Sequence, residues 1–175
     1  GGFLQALLDA GMDPRGRRAV VLGAGGAAKA VALKLVQRGA ASVTVCNRTP
    51  EKAAALCAHA PQVMRPAAFG PETLRREAGA ADLLVNCTSL GMAGTAGQFA
   101  GLDFLEALPR DGAVFLIYHP AETALLARAR ALGRPAANGL GMLIHQAILA
   151  LERFTGQELD RAALRAVEER ALEEG

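Results

Sequence analysis

The apolar run Ala19-Val20-Val21-Leu22 breaks into Gly23-Ala24-Gly25-Gly26-Ala27-Ala28, and the chain then continues as a long helical pattern. An uninterrupted apolar run reads as a strand covered on both faces, and a glycine turn leading from it into a helix opens a βαβ unit. Few folds accommodate that sequence of events. Gly23 permits the tight bend, Gly25 lets backbone N–H groups approach a pyrophosphate, and the helix start adds about half a unit of positive charge. Ala28 stands where the dinucleotide fingerprint carries its third glycine. On these residues alone, the turn is either a pyrophosphate cradle built by Gly23, Ala24, Gly25, Gly26 and Ala27 or a structural turn with no ligand.

A second strand-like run, Ser42-Val43-Thr44-Val45-Cys46, follows and ends in Asn47-Arg48-Thr49. This is about 20 residues past the glycine turn, where a dinucleotide fold reads the adenosine ribose. An acidic side chain there would accept a ribose 2′-hydroxyl and repel a 2′-phosphate. Here Asn47, Arg48 and Thr49 stand instead, with Lys52 one helical turn on. The planar donors of Arg48 match phosphate oxygens, and its guanidinium can stack on adenine. Lys52 is either part of that clamp or a solvated helix charge, and Arg48 otherwise is an exposed loop cation. The spacing of the two segments points to NADP(H) rather than NAD.

The rest of the chain continues the alternation. Helices are expected over Phe3–Ala10, Gly25–Gln37 and Pro50–His59, from Pro71, and over Glu122–Leu132, Met142–Phe154 and Glu158–Leu172. Strands are expected over Arg17–Leu22, Ser42–Cys46, around Gln62–Arg65, over Asp82–Asn86 and Ala113–Tyr118, and weakly at Ala136–Asn138. Such alternation implies right-handed crossovers and an α/β fold, a Rossmann-like doubly wound parallel sheet with helices on both faces. Residues 1–175 are enough for one domain burying roughly 70% of its unfolded surface.

A net charge of +2, from 19 basic and 17 acidic side chains, favours neither nucleic acid nor a membrane surface as partner. No apolar run approaches the roughly 20 residues of a membrane span. No signal-peptide pattern is visible at Gly1-Gly2-Phe3-Leu4. Cys46, Cys57 and Cys87 are odd in number and lack paired spacing, so buried free thiols and a cytoplasmic setting are expected, with no zinc site. His59 reads as a solvated residue at a helix end. His119 and His145 carry no ligand spacing, and no metal is expected.

Five segments occur in order: Gly-Ala-Gly-Gly-Ala at 23–27, Asn-Arg-Thr at 47–49, Val85-Asn86-Cys87-Thr88-Ser89-Leu90-Gly91-Met92, Tyr118-His119-Pro120-Ala121-Glu122-Thr123 and Gly139-Leu140-Gly141-Met142-Leu143-Ile144-His145-Gln146. Together they resemble the NADP-binding domain of the shikimate dehydrogenase family, quinate/shikimate relatives included, over essentially the whole chain. The resemblance implies reduction of 3-dehydroshikimate to shikimate with NADPH, on the route to aromatic amino acids. It implies that Thr88, Ser89 and Leu90 line the nicotinamide ribose, that Leu116 and Gly139 contact the nicotinamide with Met142 packed nearby, and that Tyr118 and Gln146 reach substrate. Read from the residues alone, Tyr118 is a half-buried strand-end aromatic and Gln146 a helix-surface amide. Phe115 departs from the family, which often carries aspartate three positions before the tyrosine.

The same resemblance implies a preceding domain that supplies a lysine–aspartate pair, and Gly1-Gly2-Phe3 resembles the point just after the family's Asn-Thr-Asp segment. Lys29, Lys34 and Lys52 all fall in expected helices and do not replace that lysine. The expectation is therefore no catalytic residue within the chain, and half an enzyme that is inactive alone. Leu159, Ala163, Leu164, Val167 and Ala171 recur at helical spacing. Apolar surface left by a missing domain would favour a homo-oligomer. Two other classes stay open: a non-catalytic NADP-binding or protein-interaction module, and a glycine-loop methyltransferase, against which Asn47-Arg48 argues.

Overall fold

Thirteen elements alternate along the described part of the chain. The structure, a computed structural model, describes residues 2–92, 97–118, 122–156 and 158–160. Helix α1 (Gly2–Asp9) precedes β1 (Arg18–Leu22), α2 (Gly26–Gln37), β2 (Ser42–Asn47), α3 (Pro50–Cys57) and β3 (Met64–Ala68). Then come α4 (Pro71–Gly79), β4 (Leu83–Asn86), α5 (Phe104–Ala107), β5 (Ala113–Leu116), α6 (Ala124–Ala131), β6 (Ala136–Ala137) and α7 (Leu140–Thr155). The six strands form one sheet in the order β3-β2-β1-β4-β5-β6. Every pairing is parallel, and Val21 lies in register between Val45 and Val85. The strand order reverses at β1, so the carboxyl ends of β1 and β4 flank a crevice suited to a ligand.

Strand alternation divides the core in two. Val21, Val43, Val45, Leu83, Val85 and Phe115 point to the side covered by α1, α2 and α3, where Leu7, Val31 and Leu35 meet them. Val20, Leu22, Leu84, Val114 and Leu116 point to the other side, against Leu74, Leu105, Leu125 and Leu126 of α4, α5 and α6. Both faces of the sheet are thus covered, which explains why the strands read as continuous apolar runs. Phe115, where the family resemblance suggested aspartate, instead fills this core edge-on against Phe3 at 5.6 Å.

Several expected elements shift. β3 extends past Pro66, because it is an edge strand and needs no second ladder partner at that residue. The short α5 breaks a stretch that carries no clear period. α3 ends at Cys57 rather than His59, and β5 ends two residues before Tyr118. Residues beyond 160 of the expected last helix lie outside the described residues, as does His119. Cys46, Cys57 and Cys87 are free and buried, as expected. Among the described residues, no helix is long and apolar enough to cross a membrane.

Candidate functional site

The glycine turn sits at the carboxyl end of β1, as its sequence position requires. Gly23 adopts φ of 101°, a left-handed conformation that an L side chain rarely enters. Its N–H donates to the Cys46 carbonyl at 2.8 Å, which fixes the turn to the end of β2. A Cβ there would stand 3.2 Å from Thr88 Cγ2, so glycine also lets the loop after β4 close in. Gly25 is the residue that caps α2, with no side-chain cap. A Cβ on either Gly25 or Gly26 would meet nothing within 4 Å. The start of α2 therefore faces open space, and its first turn carries no acidic residue to meet the positive dipole end. The donor set and the space both fit a pyrophosphate.

Beside this turn lies a groove of about 560 Å³ between α2 and α3, lined among others by Lys29, Asn47, Arg48, Thr49, Lys52 and His59. It brings Ala24, Gly25 and Gly26 together with the whole segment expected to read the ribose. Among the described residues, no carboxylate lines it. Asn47 Nδ2 donates to the Thr49 carbonyl at 3.0 Å, so this amide shapes the loop. Thr49 caps α3 through its backbone alone, which leaves its hydroxyl uncommitted to the helix. Lys29 and His59 were not foreseen here. Only their place in the fold, one turn into α2 and at the far end of α3, reveals them.

The loop after β4 is held by Asn86, to which the sequence motif alone assigned no role. Its side chain is fully buried. Asn86 Oδ1 accepts from Thr88 N at 3.0 Å and from Thr88 Oγ1 at 2.7 Å, and Thr88 Oγ1 in turn accepts from Leu90 N at 3.3 Å. Among the described residues, Asn86 Nδ2 is buried without a hydrogen-bond partner. Thr88 is half-buried and Ser89 exposed, whereas the Leu90 side chain is buried. Of the three residues expected along the ribose, Thr88 and Ser89 therefore offer side chains and Leu90 offers backbone.

At the end of β5, the Leu116 side chain belongs to the core, so only its backbone faces the crevice. Gly139 N–H donates to the Tyr118 carbonyl at 3.2 Å, and a Cβ on Gly139 would lie 2.0 Å from the Ile117 carbonyl oxygen. The start of α7 is thus butted against the β5 end, which only glycine allows. Met142 is half-buried against the first core, and Tyr118 packs on both cores. Gln146 is exposed on α7, alongside the start of α1. His145 Nε2 lies 2.8 Å from Asp9 Oδ2, a link between α7 and α1.

Neither strand-end thiol suits nucleophilic work. Burial pushes Cys46 up to about 12 and raises Cys87 as well. Among the described residues, no cluster of three metal-ligating side chains occurs.

Family models match the stretches that carry four of the five sequence segments. A family model described as shikimate/quinate 5-dehydrogenase matches residues 7–92, and one for the shikimate 5′-dehydrogenase C-terminal domain matches residues 139–167. The NADP(+) shikimate dehydrogenase of Moorella thermoacetica is 42% identical over 179 residues, covering 98% of this chain and 59% of that protein. The Thermus thermophilus shikimate 5-dehydrogenase, solved with NADP(H) and shikimate, is 36% identical with a TM-score of 0.77, covering 97% of this chain and 60% of that one. The Corynebacterium glutamicum quinate dehydrogenase, solved with NAD, is 31% identical with a TM-score of 0.80, covering 94% and 59%. The chain thus spans about three fifths of the length of the proteins it matches.

Proposed function

Since this chain belongs to the shikimate dehydrogenase family, we propose that residues 1–175 form the NADP(H)-binding unit of an oxidoreductase that interconverts 3-dehydroshikimate and shikimate in the complete enzyme. The observation that carries the cofactor assignment is the groove at the end of β2, lined by Arg48, Thr49 and Lys52 and, among the described residues, by no acidic side chain. An NAD site would place a carboxylate at that strand end.

When bound, NADPH supplies the hydride for carbonyl reduction. Gly23, Ala24, Gly25, Gly26 and Ala27 receive the pyrophosphate at the start of α2. Arg48 and Lys52 neutralise the 2′-phosphate, and the Thr49 hydroxyl adds a hydrogen bond. Thr88 and Ser89 border the nicotinamide ribose, held in place because Asn86 fixes their loop. The Leu116 backbone and Gly139 would contact the nicotinamide, with Met142 packed nearby. Tyr118 and Gln146 approach the substrate from the β5 end and from α7.

We infer that the proton that accompanies the hydride would come from the lysine–aspartate pair the family resemblance implies, and that this chain alone is inactive because its own lysines do not replace that pair. Two observations support this. Lys29 and Lys52 line the phosphate groove, and Lys34 donates to Gln37 along α2. None of the three stands at the β4–β5 end where substrate would lie.

Calorimetric titration with NADPH and NADH tests the reading. NADPH binds at least about tenfold more tightly, and Arg48→Ala lowers that preference about tenfold, because one charge-assisted arginine contact accounts for about 1.4 kcal/mol or more. Equal affinity for both nucleotides in the unaltered chain would refute it.

A further inference from the structure

The groove beside the glycine turn has two walls of different origin. On one side Lys52, Ala55, Leu56 and His59 recur at helical spacing along α3 and the turn that follows it, with Arg48 and Thr49 at its head. On the other side stand Gly25, Gly26 and, within the first turn of α2, Lys29. The first turns of α2 and α3 and the loop between strand and helix therefore direct three cations, Lys29, Arg48 and Lys52, at one space. All three are exposed.

Elsewhere six arginines are matched to carboxylates: Arg18 to Asp82, Arg38 to Asp13, Arg65 and Arg76 to Glu77, Arg128 to Glu106 and Arg130 to Glu122. Among the described residues, no carboxylate engages Lys29, Arg48 or Lys52. Three like charges gathered without a counter-ion raise the free energy of the fold, and a bound dianion reverses that sign.

We propose that Lys29 is the third cation of the 2′-phosphate clamp, a specificity-determining residue that closes on the phosphate from α2 while Arg48, Thr49 and Lys52 close on it from α3. The inference rests on the NADP(H) reading above. Lys29 faces the groove beside the ribose loop, and position along α3 sets His59 apart. Lys29 lies three residues past Gly26, about 4.5 Å along the helix, and its stem is long and flexible. His59 lies seven residues past Lys52, roughly 10 Å further along α3, beyond the reach of the same phosphate. The sequence alone hid this role because Lys29 follows the glycine turn rather than the ribose-reading loop.

The test titrates this chain with adenosine 2′,5′-bisphosphate and with 5′-AMP, which isolate the adenosine half of the site. Lys29→Ala weakens the bisphosphate about tenfold and leaves 5′-AMP within about twofold, and Lys29→Arg restores most of the loss. Lys34→Ala, which removes the same charge from α2 outside the groove, changes neither ligand. Because Lys29 is exposed, the substitution removes no core contact, and far-UV dichroism verifies the fold. If Lys29→Ala weakens both ligands equally, or neither, while Arg48→Ala still separates them, the Lys29 assignment is overturned and the NADP(H) reading stands. If Arg48→Ala also fails to separate them, both fall together.

Discussion

Glu77 is the residue with the most at stake outside the groove. It is a carboxylate on α4 left only 3% exposed, and it accepts hydrogen bonds from Arg65 of β3 and from Arg76 beside it. Burial pushes its pKa up, but the two guanidinium groups outweigh burial and hold it below the ordinary value of 4.5. The unfolded chain would therefore take up this proton at a higher pH than the native state does. The stabilisation is complete above 4.5 and is lost as pH falls through the lowered native value. Glu77→Gln should cost about 1–3 kcal/mol at pH 7, since it keeps the shape but loses the charge-assisted bonds. Urea unfolding of both proteins from pH 7 to pH 3 checks this. The gap between them narrows with acid, and a gap that widens would mean that the arginines do not control Glu77.

Within the β1–α2 turn, two glycines two residues apart obey different constraints, and substitution separates them. Gly23→Ala must enter a left-handed conformation and press on Thr88, at a cost of about 1–3 kcal/mol. Gly25 has φ of −82° and open space where a Cβ would stand, so Gly25→Ala costs about 1 kcal/mol or less. The new methyl would occupy the approach of a pyrophosphate, and NADPH affinity should fall at least about tenfold. Thermal denaturation alongside NADPH titration reads both effects. An unchanged NADPH affinity in Gly25→Ala would remove the pyrophosphate from this turn. The contrast also shows what the sequence disclosed. The turn, β1, β2 and β4 were legible because fully covered parallel strands are apolar throughout and glycine marks their exits. β3 was misjudged because Pro66 reads as a breaker, although an edge strand tolerates it. α5 spans only four residues and shows no period. Lys29 and Asn86 escaped notice because their roles depend on elements brought together only by folding.

The molecule's least settled surface is α7. Its inner side meets α1 through the His145–Asp9 contact, and Gly2 lies so close that a Cβ there would be 2.6 Å from the Met142 carbonyl. Its outer side is apolar and open: Leu143 is 47% exposed, Leu151 51% and Phe154 92%. Over 16 residues, only Ile148 of this helix is buried. A helix of this length owes most of its stability to an apolar face in contact with another element, and among the described residues the outer side of α7 has little such contact. The exposed apolar side chains on this face are ones that a second copy of the chain could cover. On its own the 175-residue chain should then self-associate with rising concentration. The paired substitution Leu151→Asp and Phe154→Asp should return it to a monomer without lowering its melting temperature, because both side chains are exposed in the single chain. Light scattering across a hundredfold concentration range decides the matter. An unaltered chain that stays monodisperse and monomeric throughout would mean that the outer face of α7 is tolerated in water and calls for no partner.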